Sequence, residues 1–129
     1  MAQVKVYGER QRLAHDREEI SNAVHEAMRD VLKLPEEKRF HRFIGLDAED
    51  FIFPQDRGGE YIVIEILMFE GRSESTRRAL LRRLMSDVPD AIGCPMEAIE
   101  VTLIETSRSS WGIRGKIGDE LNLDYDVNH

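Results

Sequence analysis

A chain of 129 residues with 41% hydrophobic and 33% charged content suits one globular domain with a real core and excludes a disordered chain. The net charge of -7 argues against nucleic acid as a partner, and the single cysteine, Cys94, excludes an internal disulfide or a multi-cysteine zinc site, so a reducing, cytoplasmic setting is the expectation. The longest apolar run is too short to span a bilayer and carries Glu65, and Met1-Ala2-Gln3-Val4-Lys5 lacks the apolar centre of a signal peptide, so no membrane segment is expected.

Val4 and Val6 alternate with polar neighbours as a half-buried strand does, and Asp16 followed by Glu19 has the form of a capping box at a helix start. That helix is expected to run to about Leu34, with Ile20, Val24, Met28, Val31 and Leu32 on one face and Pro35 closing it. Arg39 to Gly45 then fits a second strand, parallel to the first because a helix joins them. Phe51-Ile52-Phe53 reads as a short strand or bridge, and Pro54-Gln55-Asp56-Arg57-Gly58-Gly59 as a turn.

Glu60 to Phe69 is a long apolar strand that runs into Glu70-Gly71-Arg72-Ser73 and then a helix. Ser73 is the expected N-cap, Leu80, Leu81, Leu84, Met85 and Val88 the apolar face, and Gly93 the C-cap with Pro95 just beyond. A strand over Ile99 to Ile104 follows, then a tight hairpin over Trp111-Gly112-Ile113-Arg114-Gly115 and an acidic, loosely held tail from Asp119 to His129.

A shift of the sequence on itself by 60 residues places Arg12 on Arg72, Ile20 on Leu80, Val24 on Leu84, Met28 on Val88, Leu32 on Ile92 and Pro35 on Pro95. The expected fold class is therefore α+β, a tandem β-α-β duplication within one domain over 1–129, with repeat 1 at about 2–45 and repeat 2 at about 60–115. It forms a four-stranded sheet with two helices on one face. The opposite face of the central strand, Tyr61, Val63, Leu67 and Phe69, is apolar except for Glu65, which points to burial in a symmetric oligomer.

Chemistry concentrates at Arg72. An arginine at the exit of a buried strand, beside a glycine that admits close approach and a serine that caps a helix, is a receptor for a small carboxylate. Pairing of Arg72 with Glu70 or Glu105 is the plainer alternative. Trp111 is foremost a packing residue. His41, between Arg39 and Arg42 on a strand, titrates near neutrality and is a candidate base, though a lone strand histidine is more often structural; His25 reads as a core-edge residue. Arg77, Arg78, Arg82 and Arg83 read as solvated helix surface. The four histidines, with or without Cys94, have no metal-site spacing, no phosphate loop or nucleophile elbow occurs, and no cofactor is expected.

The order strand, Glu70-Gly71-Arg72-Ser73, helix, Pro95, strand, Trp111-Gly112 resembles the tautomerase superfamily, and the double length resembles its fused members of the 4-oxalocrotonate tautomerase and malonate semialdehyde decarboxylase kinds. The resemblance implies a homotrimer in which arginines hold the carboxylate of a small oxo-acid, enol or unsaturated halo-acid during proton transfer. Arg72 matches the family's carboxylate-binding arginine, Trp111 an aromatic site wall, and Arg12 matches through the internal repeat. The family's base is an amino-terminal proline. Ala2 stands at the matching position and offers a primary amine only if Met1 is removed. Lys38 stands where some relatives place a water-orienting carboxylate, and Glu70 where some fused members place a further arginine. The resemblance thus implies either an isomerase-like (or decarboxylase- or dehalogenase-like) enzyme or a catalytically silent relative that keeps a carboxylate pocket or only a structural trimer.

Overall fold

The structure, a computed structural model, describes residues 2–57 and 60–129. Met1, Gly58 and Gly59, and with them the end of the turn expected after Pro54, lie outside the described residues. The chain forms β1 (Ala2–Glu9), α1 (Arg10–Leu32), β2 (His41–Leu46), β3 (Ile62–Phe69), α2 (Glu74–Ile92), β4 (Ile99–Thr106) and a small hairpin of β5 (Gly112–Ile113) and β6 (Lys116–Ile117). The sheet order is β2-β1-β3-β4, with β1–β2 and β3–β4 parallel and β1–β3 antiparallel. Two β-α-β units thus meet at β1 and β3.

The repeat seen at a shift of 60 holds in three dimensions. β1 and β3 start at Ala2 and Ile62, and α1 and α2 end at Leu32 and Ile92. Both helices are terminated by a left-handed residue, Lys33 at φ 60° and Gly93 at φ 69°. Ile20, Val24, Met28 and Leu32 of α1 face Leu80, Leu84 and Val88 of α2, and together they cover the even face of the sheet, Val4, Val6, Ile62, Ile64, Ile66 and Met68. Each of these side chains is essentially removed from water, which contributes roughly 1.5–3 kcal/mol apiece relative to exposure.

The two units differ where their helices begin. In the second, Ser73 caps α2 by accepting from the Thr76 N–H, as expected. In the first, β1 runs directly into α1, and Glu9 rather than Asp16 is the N-cap, accepting from the Arg12 N–H at 2.9 Å. The capping box read at Asp16 and Glu19 is therefore incorrect: Asp16 lies on the buried face of α1, held there by Arg12 one turn earlier. Phe51-Ile52-Phe53 likewise forms no strand; Phe51 and Phe53 pack as rings against Tyr61. The tail is not loose either, because Leu121 and Val127 are buried and the His129 carbonyl accepts from Ser73 and Thr76.

The open face of the sheet is more polar than the pattern of β3 alone suggests. Register places Tyr7, Val63, Leu67 and Ile104 there, interleaved with Lys5, Arg42, Glu65 and Thr102. The arginines of α2 are largely neutralised, with Arg78 on Glu74 and Arg83 on both Asp30 and Asp87. Among the described residues no helix is long and apolar enough to cross a membrane.

Under the first unit, His41 Nδ1 lies 2.8 Å from Ser21 Oγ, and its ring meets that of His25 edge-on at 6.2 Å. His25 is buried, with Nε2 at 2.8 Å from the Glu36 carbonyl. Desolvation, with Arg39 and His25 adding like charge, pushes His41 down to about 4, and desolvation lowers His25 as well. His41 is therefore a neutral packing residue, not a base poised near neutrality. Because the folded pKa values lie below the unfolded value of about 6.5, the unfolded chain binds more protons as the pH falls. Stability from this pair is present above about pH 6.5 and is lost as the pH falls towards about 4. Urea midpoints measured from about pH 7 to about pH 4.5 should decline, and His41→Gln should flatten that decline.

Candidate active site

The site begins where β3 ends. Glu70 donates its N–H to the Thr106 carbonyl at 2.9 Å, keeping β3 tied to β4 for one residue more, and the backbone then turns at Gly71 with φ 131°. A side chain has no room there: a Cβ on Gly71 would lie 2.4 Å from Asn128 Oδ1 and 2.8 Å from the Val127 carbonyl. The glycine thus lets the chain turn and lets the tail pass over it. The turn drives Arg72 inward, where it is only 3% exposed.

Its guanidinium is incompletely satisfied. Nη1 donates to the Phe69 carbonyl at 3.3 Å, while Nε and Nη2, both buried, have no hydrogen-bond partner among the described residues. Burial lowers the pKa of Arg72, offset by the charges of Tyr125, Glu105 and Asp126 around it. A buried cation with two free donors is costly unless an anion completes it.

Arg72 lines a cavity of about 650 Å³ together with Arg77, Glu105, Arg108, Asp119 and Asn128. Arg77 Nη1 donates to the Arg72 carbonyl at 2.8 Å and reaches Glu105 Oε1 at 3.4 Å. Arg108 is occupied otherwise. It donates to the carbonyls of Gly118 and Leu121 and lies 5.3 Å over the Phe69 ring, so it holds the hairpin and tail together. Nε and Nη2 of Arg72 form an adjacent, coplanar pair of donors, the geometry that a carboxylate accepts in bidentate fashion.

Trp111 does not line this cavity. Its ring meets Phe69 edge-on at 5.2 Å and its Nε1 donates to Thr106 Oγ1, so it braces the floor beneath Arg72. Ala2 is buried and pairs with Met68 near the end of β3, which puts the start of β1 at the same end of the sheet as Arg72. Lys38 sits in the turn before β2, its N–H bonded to the Pro35 carbonyl.

Arg12, the repeat partner of Arg72, lies at the opposite sheet end and is saturated. It pairs with Asp16 and Glu60 and donates to the Ile92 carbonyl at 3.2 Å. The second unit opens a loop of Glu70-Gly71-Arg72-Ser73 between strand and helix, whereas α1 begins without one, so Arg12 falls inside the helix. Among the described residues, Arg12→Ala leaves the buried Asp16 carboxylate paired with His15 alone, and should destabilise the fold by about 2–3 kcal/mol in urea denaturation.

Sequence reading did not place Arg77, Asp119 or Asn128 at the site. Glu105 carries a sequence signal only as an acid able to pair with Arg72. Asn128 carries no local signal, because its place follows from tail packing alone. An exposed trio of carboxylates, Asp47, Glu49 and Asp50, clusters elsewhere, with Arg10 already paired to Asp47.

The family profile described as tautomerase enzyme matches residues 38–114, more than half of the chain. The chain belongs to the tautomerase family. Similarity at the sequence level extends to 2-hydroxymuconate tautomerase of Pseudomonas putida, 33% identical over 57 residues that take in 44% of this chain and 90% of that one, and to its counterpart in Comamonas testosteroni at 32%. Two tautomerase-family folds superpose over nearly their whole length. Native fused 4-OT does so with TM-score 0.81 at 19% identity, covering 92% of this chain and 98% of that one. An FG41 malonate semialdehyde decarboxylase inhibited by 3-bromopropiolate gives TM-score 0.80 at 21% identity, covering 94% and 98%. This tautomerase-family chain shares their fold, built here from two β-α-β units.

Proposed function

We propose that this protein catalyses proton transfer on a small carboxylate-bearing oxo-acid, enol or unsaturated halo-acid, with Arg72 binding the carboxylate. The observation that carries the reading is the buried Arg72 guanidinium whose Nε and Nη2 lack partners among the described residues at a cavity wall. Family membership supports this reaction class, because tautomerisation needs an anchored carboxylate beside a group that moves a proton. In a chain that starts at Ala2, the buried position of that residue makes its amine the proton-transferring group, since desolvation favours the neutral form.

The working assembly is a single-domain homotrimer in the cytoplasm. Support comes from the open sheet face with Tyr7, Val63, Leu67 and Ile104, and from a similar fold solved as a fused 4-OT trimer. Light scattering should return about three times the chain mass of 14.9 kDa. Trp111 contributes by bracing Phe69 under the site rather than by direct contact.

A second reading is favoured by Ala2 itself: without a proline amine the protein keeps the pocket but is catalytically silent. Ketonisation of phenylenolpyruvate decides between them, using protein whose amino terminus has been fixed by mass determination. Turnover above the buffer rate that is lost in Arg72→Ala supports the enzyme. Turnover that appears only in Ala2→Pro supports the silent relative, and turnover untouched by Arg72→Ala contradicts the carboxylate assignment.

A further inference from the structure

We propose that Glu105 is a carbon-acid base of this site, a catalytic role that rests on the reading of Arg72 as the carboxylate anchor. Glu105 is the penultimate residue of β4 and pairs with Met68 of β3, which in turn pairs with Ala2 of β1. The three stand in one row across the sheet, at the end where Arg72 is buried. Glu105 shares the cavity wall with Arg72, and its side chain is 25% exposed. The other acids lining that cavity, Glu70 and Asp119, are exposed at its edge.

Glu105 is also held in place. Arg77 reaches one carboxylate oxygen, Oε1, at 3.4 Å while donating to the Arg72 carbonyl at 2.8 Å, so one side chain fixes acid and anchor relative to each other. Arg77 engages Oε1, and Oε2 is the oxygen assigned to meet a substrate. The charged groups that face Glu105 are Arg72 and Arg77, with Arg108, Glu70 and Asp119 around the same cavity.

An oxo-acid held by its carboxylate on Arg72 would stand in the cavity whose wall Glu105 shares. Glu105 takes the proton from that carbon. The C–H pair becomes the C=C bond, the carbonyl π pair moves to oxygen, and that oxygen takes a proton from water to give the enol. Return follows the reverse path, with protonated Glu105 delivering its proton to carbon. No cofactor or redox partner enters the balance. This assigns a base to the chain that does not depend on its amino terminus.

The test is exchange of the carbon-bound protons of phenylpyruvate in D2O, followed by NMR, alongside binding of 3-phenylpropionate, an acid with no carbonyl. Glu105→Gln preserves size and a contact to Arg77, so a retained circular-dichroism spectrum is expected. It should bind 3-phenylpropionate within about three-fold of the parent while its exchange rate falls about 100-fold or more, in kcat rather than KM. Glu105→Asp should recover part of the rate. If Glu105→Gln binds and exchanges like the parent, or if the parent binds yet exchanges no faster than buffer, Glu105 is not the base. If the parent itself fails to bind 3-phenylpropionate, the reading of Arg72 fails first and the role of Glu105 with it.

Discussion

Arg72→Met should raise the unfolding midpoint by a few degrees and at the same time weaken a small carboxylate about 100-fold or more. The two effects have one cause. In the free protein the buried guanidinium keeps one hydrogen bond, to the Phe69 carbonyl, and leaves Nε and Nη2 without partners among the described residues. Methionine fills much of the same space without a charge to desolvate, and relieving such a group is worth about 1–2 kcal/mol. Binding moves the other way, because a bidentate carboxylate gains two charge-assisted hydrogen bonds of roughly 1.5–3 kcal/mol each. Arg72→Lys should fall between, since a point charge replaces a planar fork. Calorimetric titration with 3-phenylpropionate and a thermal melt on the same samples measure both. A purely structural arginine would lower stability when removed, the opposite sign.

Phe69→Ala should be among the most damaging single changes, at about 3–5 kcal/mol. Phe69 is fully buried, and its ring organises the site from below: Trp111 meets it edge-on, Arg108 lies over it, and Val127 of the tail packs against it. Truncation leaves a cavity of aromatic size and frees the tail from its apolar anchor. Because Trp111 is the sole tryptophan, its emission should shift to the red as water reaches the ring. Urea denaturation followed at that wavelength gives the stability loss. Phe69→Leu should cost less than half as much, because most of the buried volume is retained.

Most of the fold was legible because its cause is periodic. Apolar spacing on the two helices, the long apolar run of β3, the Ser73 cap and the Gly93 terminator each act within a few residues, and each appears in the structure. The repeat at 60 residues also shows in the matching strand starts and helix ends of the two units. The start of α1 was not legible, since Asp16 and Glu19 have the composition of a cap, while tertiary pairing to Arg12 puts Asp16 in the interior. Arg12 matches Arg72 in sequence through the repeat alone. Only the loop length between strand and helix separates a saturated arginine from an unsatisfied one. The remainder of the cavity depends on contacts of long sequence separation, such as Asn128 over Gly71 and Arg77 on Glu105. No local pattern encodes these.

Observation of the Arg72 guanidinium itself is the most direct test of a carboxylate anchor. In protein labelled with 15N-arginine, the Arg72 Nε–H resonance, assigned by its loss in Arg72→Lys, should move downfield as phenylpyruvate is added and saturate with the binding curve. Movement confined to Arg77 or Arg108, or no movement of Arg72 at saturating acid, would contradict the account.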